Sequence, residues 1–248
     1  MSIINIAAYH FVNLHQLESF KQAVQQACED HDLKGTVLLS AEGINLFLAG
    51  DRTAIDGFVS WLRAHAEFAA LQVKYSESQA VPFKRLKVKI KNEIIRMNHP
   101  TIQPQDGRAP AIDPVTAKRW IEQGQDDKGR PLILLDTRND FEVRAGTFKG
   151  AVSWQLSRFT EFPEAVRAHV DDLQEKTVIS FCTGGIRCEK AAIFMRSVGI
   201  ENVYQLDGGI LKYFEQTDGT GYEGTCFVFD ERETLDPALR PVPLTPEF

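Results

Sequence analysis

Residues 178–191 read VISFCTGGIRCEKA, and the order of residue types in this stretch decides the architecture of the second half of the chain. Val178, Ile179, Ser180 and Phe181 form a short β-prone run that ends at Cys182, whereas CEKAAIFMRSVG after Arg187 has helical spacing and stops at Gly199. The pattern predicts a buried strand, a tight loop, and a helix beginning near Cys188. Two more runs of the same kind, PLILLDTR (131–138) and NVYQLDG (202–208), flank it, with helical patterns such as PVTAKRWIEQG (114–124) before and between them. Near-continuous apolar strands alternating with helices imply a mainly parallel α/β domain over about 112–217. In such sheets ligands sit beyond the carboxyl ends of the strands, where both Asp136 and Cys182 fall.

Upstream the pattern changes. INIAAYHF (4–11) has strand character, Leu14 to His31 places Leu14, Leu17, Phe20, Val24 and Ala27 at helical spacing, and GTVLLSAEGINLFLAG (35–50) reads as a hairpin turning at Ser40–Gly43. Asp51 is an N-cap for a helix carrying Ile55, Phe58, Val59 and Leu62, and the strands LQVKYSES (71–78) and FKRLKVKIKN (83–92) follow. The order is that of a ferredoxin-like βαββαβ sandwich with one additional strand. The expected layout is a ferredoxin-like domain over 1–97, a proline-containing linker over 98–111, the α/β domain over 112–217, and a C-terminal extension over 218–248. That extension holds GTCFVFDER (224–232), a candidate strand, and RPVPLTPEF (240–248), expected to be mobile.

With 248 residues, 43% of them hydrophobic and 25% charged, the chain has the composition of a globular protein. Its N-terminus lacks the basic and apolar regions of a secretion signal, and no run approaches the roughly 18 apolar residues of a membrane helix. A cytoplasmic location and no membrane partner are therefore expected. Four cysteines are too few for a disulfide scaffold, so thiol chemistry is the better expectation. The net charge of −6 hides an asymmetry, because residues 82–97 hold six basic residues and one acidic. Lys84, Arg85, Lys87, Lys89 and Lys91 crowd one strand, and Arg85, Lys87, Lys89 and Lys91 alternate with Leu86, Val88 and Ile90. One face is then core and the other a row of cations about 7 Å apart, a spacing that tracks phosphates. Lysines that protect a sheet edge from aggregation produce the same pattern.

The loop Cys182, Thr183, Gly184, Gly185, Ile186, Arg187 has the makings of an anion site. Two glycines let backbone N–H groups converge on one point, side chains there being expected to obstruct it. The following helix directs its positive end at that point, and Arg187 adds a cation able to brace loop carbonyls or bind an anionic substrate. All three favour the Cys182 thiolate, which is expected to be exposed. Against this stand a plain buried cysteine, and a metal site with Cys188 and Cys226 whose spacing does not suit zinc.

CTGGIR is similar to the active loop of rhodanese domains, with four residues between cysteine and arginine rather than the five of tyrosine phosphatases. The shorter loop implies a pocket suited to sulfur. DTRNDFEVRAGTFKGA (136–151) resembles the strand end and turn of that fold, and LDGGILKY (206–213) its closing Gly-Gly motif. Together with GTVLLSAEGIN, PFKRLKVKIKNEII and GTCFVFDER, the pattern resembles the rhodanese-domain tRNA uridine 5-hydroxylases along nearly the whole chain. That resemblance implies oxygen-dependent conversion of wobble uridine to 5-hydroxyuridine, with tRNA as partner, molecular oxygen as co-substrate and a loop cysteine, Cys182, able to carry a persulfide. No obligate protein partner is implied.

The six histidines are scattered and no glycine-rich flavin signature follows a strand, so neither a metal nor a flavin is expected. Thiols remain: addition of a thiolate to C6 of uracil builds electron density at C5. Cys182 is expected to carry the reactive sulfur and Cys188 to resolve or relay it, or else to be a buried helix residue. Asp136 and Arg138 are expected to hold the loop and domain together. The rival readings are a sulfurtransferase forming a Cys182 persulfide and a catalytically idle binding module.

Overall fold

A computed structural model describes residues 2–244. The chain divides into two compact units between Arg96 and Met97.

In the first unit β1 (Ile3–Phe11), α1 (Leu17–Asp30), β2 (Lys34–Ser40), β3 (Gly43–Gly50), α2 (Arg52–Arg63), β4 (Val73–Ser78) and β5 (Leu86–Ile90) follow one another. The sheet order is β4-β1-β3-β2-β5, antiparallel except where β5 adds beside β2 in parallel. This is the split βαβ sandwich with its additional strand. Strand alternation and helix amphipathicity put Val24, Val37, Leu46, Phe58 and Leu62 into one core. The Asp51 carboxylate accepts the Ala54 N–H at 2.7 Å, so α2 starts where its cap dictates. The first helix begins three residues later than its periodicity suggests. Gln16 takes a left-handed conformation (φ 53°), and Leu14 N–H donates to the Ala41 carbonyl instead of entering a helix.

β5 lies on the sheet edge. Its Val88 is buried and its Leu86 and Ile90 pack against the core, whereas Lys84, Arg85, Lys87, Lys89 and Lys91 are exposed.

The second unit contains β6 (Ala111–Ile112), α3 (Pro114–Gln123), β7 (Leu132–Asp136), α4 (Asp140–Val143), β8 (Gly146–Phe148) and β9 (Val152–Ser153). After these come α5 (Phe162–Ala168), α6 (Val170–Leu173), β10 (Thr177–Phe181), α7 (Ile186–Ser197), β11 (Val203–Leu206) and α8 (Gly209–Thr217). Its main sheet, β6-β11-β10-β7-β9, is parallel at every pairing. Every residue of the central strand β10 is buried, as its unbroken apolar run requires.

The C-terminal segment continues this unit with β12 (Tyr222–Gly224), β13 (Cys226–Phe227), β14 (Thr234–Leu235) and β15 (Pro241–Val242). β12 pairs with β8, and the other three form a small antiparallel sheet. Part of the proline-rich end is therefore ordered rather than mobile: β15 pairs with β14, and the Val242 carbonyl accepts from the Thr234 hydroxyl. Residues 245–248 of that stretch lie outside the described residues. No helix among the described residues is long and apolar enough to cross a membrane.

Candidate active site

Cys182 follows the carboxyl end of β10, and the pairing of Phe181 with Asp136 sets that end level with the end of β7. Thr137 ties the two ends together, its N–H and its hydroxyl each donating to the Phe181 carbonyl at 3.0 Å. The loop turns at Gly185, whose φ of +96° favours glycine, and there the Gly185 N–H donates to the Cys182 sulfur at 3.1 Å. α7 begins at Ile186, two residues before the expected start, because Cys188 N–H already donates to the Gly185 carbonyl.

The two glycines of the loop are not equivalent. A Cβ on Gly184 would meet nothing within 4 Å, so a side chain there would not obstruct the nest as the sequence suggested. The close approach is at Gly209 in the closing motif instead. A Cβ there would lie 2.4 Å from the Cys182 carbonyl oxygen and 2.6 Å from the Gly185 nitrogen. That contact lets the first turn of α8 hold the loop, Ile210 N–H donating to the Cys182 carbonyl and Leu211 N–H to that of Thr183, at 3.0 and 3.1 Å.

Cys182 is only 2% exposed, which corrects the expectation of an exposed sulfur. Its own loop folds an N–H onto the sulfur, α8 holds the loop carbonyls, and the Thr183 hydroxyl donates to the Phe227 carbonyl of β13 at 3.2 Å. The sulfur is nevertheless surrounded by polar donors. Burial alone would raise its pKa, but the Cys188 thiol, the Arg187 charge and the backbone N–H groups of Arg187 and Gly185 outweigh burial and hold it at about 6. Cys188 is driven the other way, well above its ordinary value, by burial and by the adjacent Cys182 sulfur. One thiolate and one thiol side by side is the state these opposed shifts favour.

Arg187 does not brace loop carbonyls with its guanidinium, nor is that group free for a substrate. Both of its terminal nitrogens bond Glu142, at 2.8 to 3.1 Å, and both side chains are buried. Asp136 and Arg138 form a second, fully buried pair with a 2.7 Å contact, and Arg138 also donates to the Gly146 carbonyl at 2.6 Å. Thr147 donates to Asp136 at 2.7 Å. This pair fastens β7 to β8. Ile186 and Thr183 are buried within the loop.

Glu142 escaped the sequence reading, although it stands at capping-box spacing from Asn139 and its carboxylate accepts the Asn139 N–H at 3.1 Å at the start of α4. Its second role, neutralising Arg187, has no local signature. Cys226 is buried with its thiol pushed up to about 12 by desolvation, and Cys28 in α1 likewise. Among the described residues no group of three or more His, Cys, Asp or Glu side chains is placed to hold a metal ion.

Two family models match the chain, a UPF0176 acylphosphatase-like domain over residues 3–94 and a rhodanese-like domain over residues 114–216. It is 63% identical to a tRNA uridine(34) hydroxylase of Bordetella petrii, over 97% of this chain and 95% of that one. A protein of the same name from Bordetella avium is 60% identical over 98% of this chain and its own entire length. One from Cupriavidus necator is 58% identical over 97% of this chain and 86% of its own.

Proposed function

Because the chain belongs to the tRNA uridine(34) hydroxylase family, we propose that it is a tRNA-modifying oxidoreductase that converts the wobble uridine to 5-hydroxyuridine with molecular oxygen. The observation that carries the chemistry is geometric: the Cys182 sulfur accepts the Gly185 N–H at 3.1 Å, with the Cys188 thiol and the Arg187 charge lowering its proton affinity. A sulfur so poised is a nucleophile at neutral pH, and its addition to C6 of uracil makes C5 electron-rich enough to capture oxygen.

The net reaction places one oxygen atom on C5 and releases the other as water, which consumes two electrons and two protons. The Cys182 thiolate and the Cys188 thiol supply both electrons and one proton, and water supplies the other: the outer oxygen of the C5 peroxide passes to the Cys188 sulfur, loss of the C5 proton expels Cys182 from C6, and the freed Cys182 thiolate displaces water from Cys188 to leave a disulfide. Identity along nearly the full length to chains named as hydroxylases supports this reading over sulfur transfer. Lys87 and Lys89 on the exposed face of the edge strand β5, with Lys84, Arg85 and Lys91 exposed at its two ends, supply salt-dependent attraction for the tRNA backbone. A tRNA substrate places the enzyme in the cytoplasm.

Purified protein incubated with unmodified tRNA is expected to add one oxygen at the wobble uridine under air and none under nitrogen, read by nucleoside mass spectrometry. Cys182→Ser abolishes the product. Without added reductant, one Cys182–Cys188 disulfide forms per oxygen inserted. Normal 5-hydroxyuridine from Cys182→Ser would sink the mechanism.

A further inference from the structure

Resting on that reading, we infer that Phe141, Phe227 and Phe229 form a platform on which an unpaired base of the tRNA anticodon loop stacks while the uridine enters the cysteine loop. Phe141 lies on α4 beside Glu142, the partner of Arg187, and Phe227 belongs to β13, whose carbonyl holds Thr183. The three rings meet edge to face: Phe141 to Phe227 at 5.2 Å and 88°, Phe227 to Phe229 at 5.3 Å and 80°, Phe141 to Phe229 at 6.3 Å and 89°. The Arg187 guanidinium lies 5.9 Å from the centre of the Phe229 ring, so the cluster adjoins the loop that carries the sulfur.

Its exposure is what needs a ligand. Phe141 and Phe229 are each 48% exposed, two of five large hydrophobic side chains in that state among the described residues, and these two meet ring to ring. If the rings served only to fasten β13 to α4, their faces would turn inward, as those of Phe148 and Phe181 do. A planar, sequence-tolerant, π-faced partner fits two half-exposed phenyl rings, and an unpaired nucleobase is such a partner. Stacking one base there offsets the loss of its neighbours in the anticodon loop. It would also hold the strand next to a sulfur that is otherwise enclosed. The rings move no proton and form no bond, so they position substrate.

The test uses the full-length protein and an anticodon stem-loop RNA carrying 2-aminopurine beside the wobble uridine. The parent is expected to quench the probe on binding. Phe141→Ala/Phe229→Ala is expected to bind about 10- to 100-fold more weakly, the range that loss of one base–aromatic stack produces, and to lose the quench. Phe229→Tyr keeps the quench, and Phe229→Leu, which retains apolar bulk without a ring, loses it. A purely structural role would not separate tyrosine from leucine. The pH midpoint of Cys182 alkylation in the tyrosine and leucine variants matches that of the parent in the same assay if the loop is intact. Unchanged affinity and quenching in the alanine pair, equal behaviour of leucine and tyrosine, or a parent that binds without quenching would overturn the platform while leaving hydroxylation standing. A parent that adds no oxygen to tRNA in air overturns the functional reading and the platform with it.

Discussion

Replacing Arg187 with methionine tests the electrostatics of the site most directly. The Cys182 pKa is lowered to about 6, so the thiolate predominates at pH 7, against roughly 3% for a free thiol of pKa 8.5. Arg187→Met removes the favourable charge and leaves Glu142, buried and stripped of its partner, within the same site. Both changes disfavour an anion on the sulfur. One nearby charge moves a pKa by about 1–3 units, so the midpoint should rise to about 7–9. The assay is the pH dependence of iodoacetamide alkylation, followed by mass spectrometry of the Cys182 peptide. A rate at one pH is a poor readout, because a more basic thiolate is also a stronger nucleophile and partly conceals its lower population. The midpoint has no such ambiguity. The single variant should lose about 3–5 kcal/mol of stability from the orphaned carboxylate, and the added Glu142→Gln substitution should restore part of it. A folded Arg187→Met/Glu142→Gln protein whose midpoint is no higher than that of Glu142→Gln alone would refute the assignment of the shift to Arg187.

Three other outcomes follow from the same geometry. Gly209→Ala forces a Cβ to within 2.4 Å of the Cys182 carbonyl oxygen at a φ of +67°, so urea denaturation should show a loss of at least about 2 kcal/mol, whereas Gly184→Ala, with open space around it, should stay within about 1 kcal/mol. Equal losses would remove α8 as the clamp on the loop. The lowered Cys182 pKa means that the folded state binds fewer protons than the unfolded one between about 6 and 9, so this contribution is complete above 9 and disappears as pH falls through 6. The stability difference between parent and Cys182→Ser should therefore grow in the parent's favour from pH 6 to 9, and a flat difference in urea titrations would contradict the shift. Charge reversal of Arg85, Lys87, Lys89 and Lys91 to glutamate should leave the circular dichroism unchanged but abolish measurable tRNA binding at moderate salt, and single reversals should each lower the salt slope by about 0.9 for every phosphate no longer neutralised. Retained affinity would return β5 to simple edge protection.

Much of the fold was legible because its signals are local. The apolar runs at 131–138 and 178–181 form neighbouring parallel strands, Asp51 caps the helix that follows it, and the alternation in 85–91 separates a core face from a charged one. The errors also have local causes. A left-handed residue at Gln16 delays α1, and pairing with β14 orders a proline-rich segment that composition alone marks as mobile. The turn at Gly185 and the helix that follows were legible since both lie within five residues of Cys182. The burial of that cysteine was not, because α8 and β13, which enclose it, arrive from 27 and more residues downstream.

From the order of its residues alone, this chain determined two sandwiches of strands and helices, a basic edge strand, and a cysteine placed where a strand turns into a helix. Hydrophobic period and backbone permissiveness act over a few residues, which is why they can be read directly. Tertiary packing decided the rest: that Arg187 pairs with Glu142, that Gly209 rather than Gly184 is the tight contact, that Cys188 opposes Cys182 in proton affinity, and that two phenyl rings stand open beside the loop. The charge on a sulfur depends on distances through space to groups far apart along the chain, and only the folded arrangement fixes those distances.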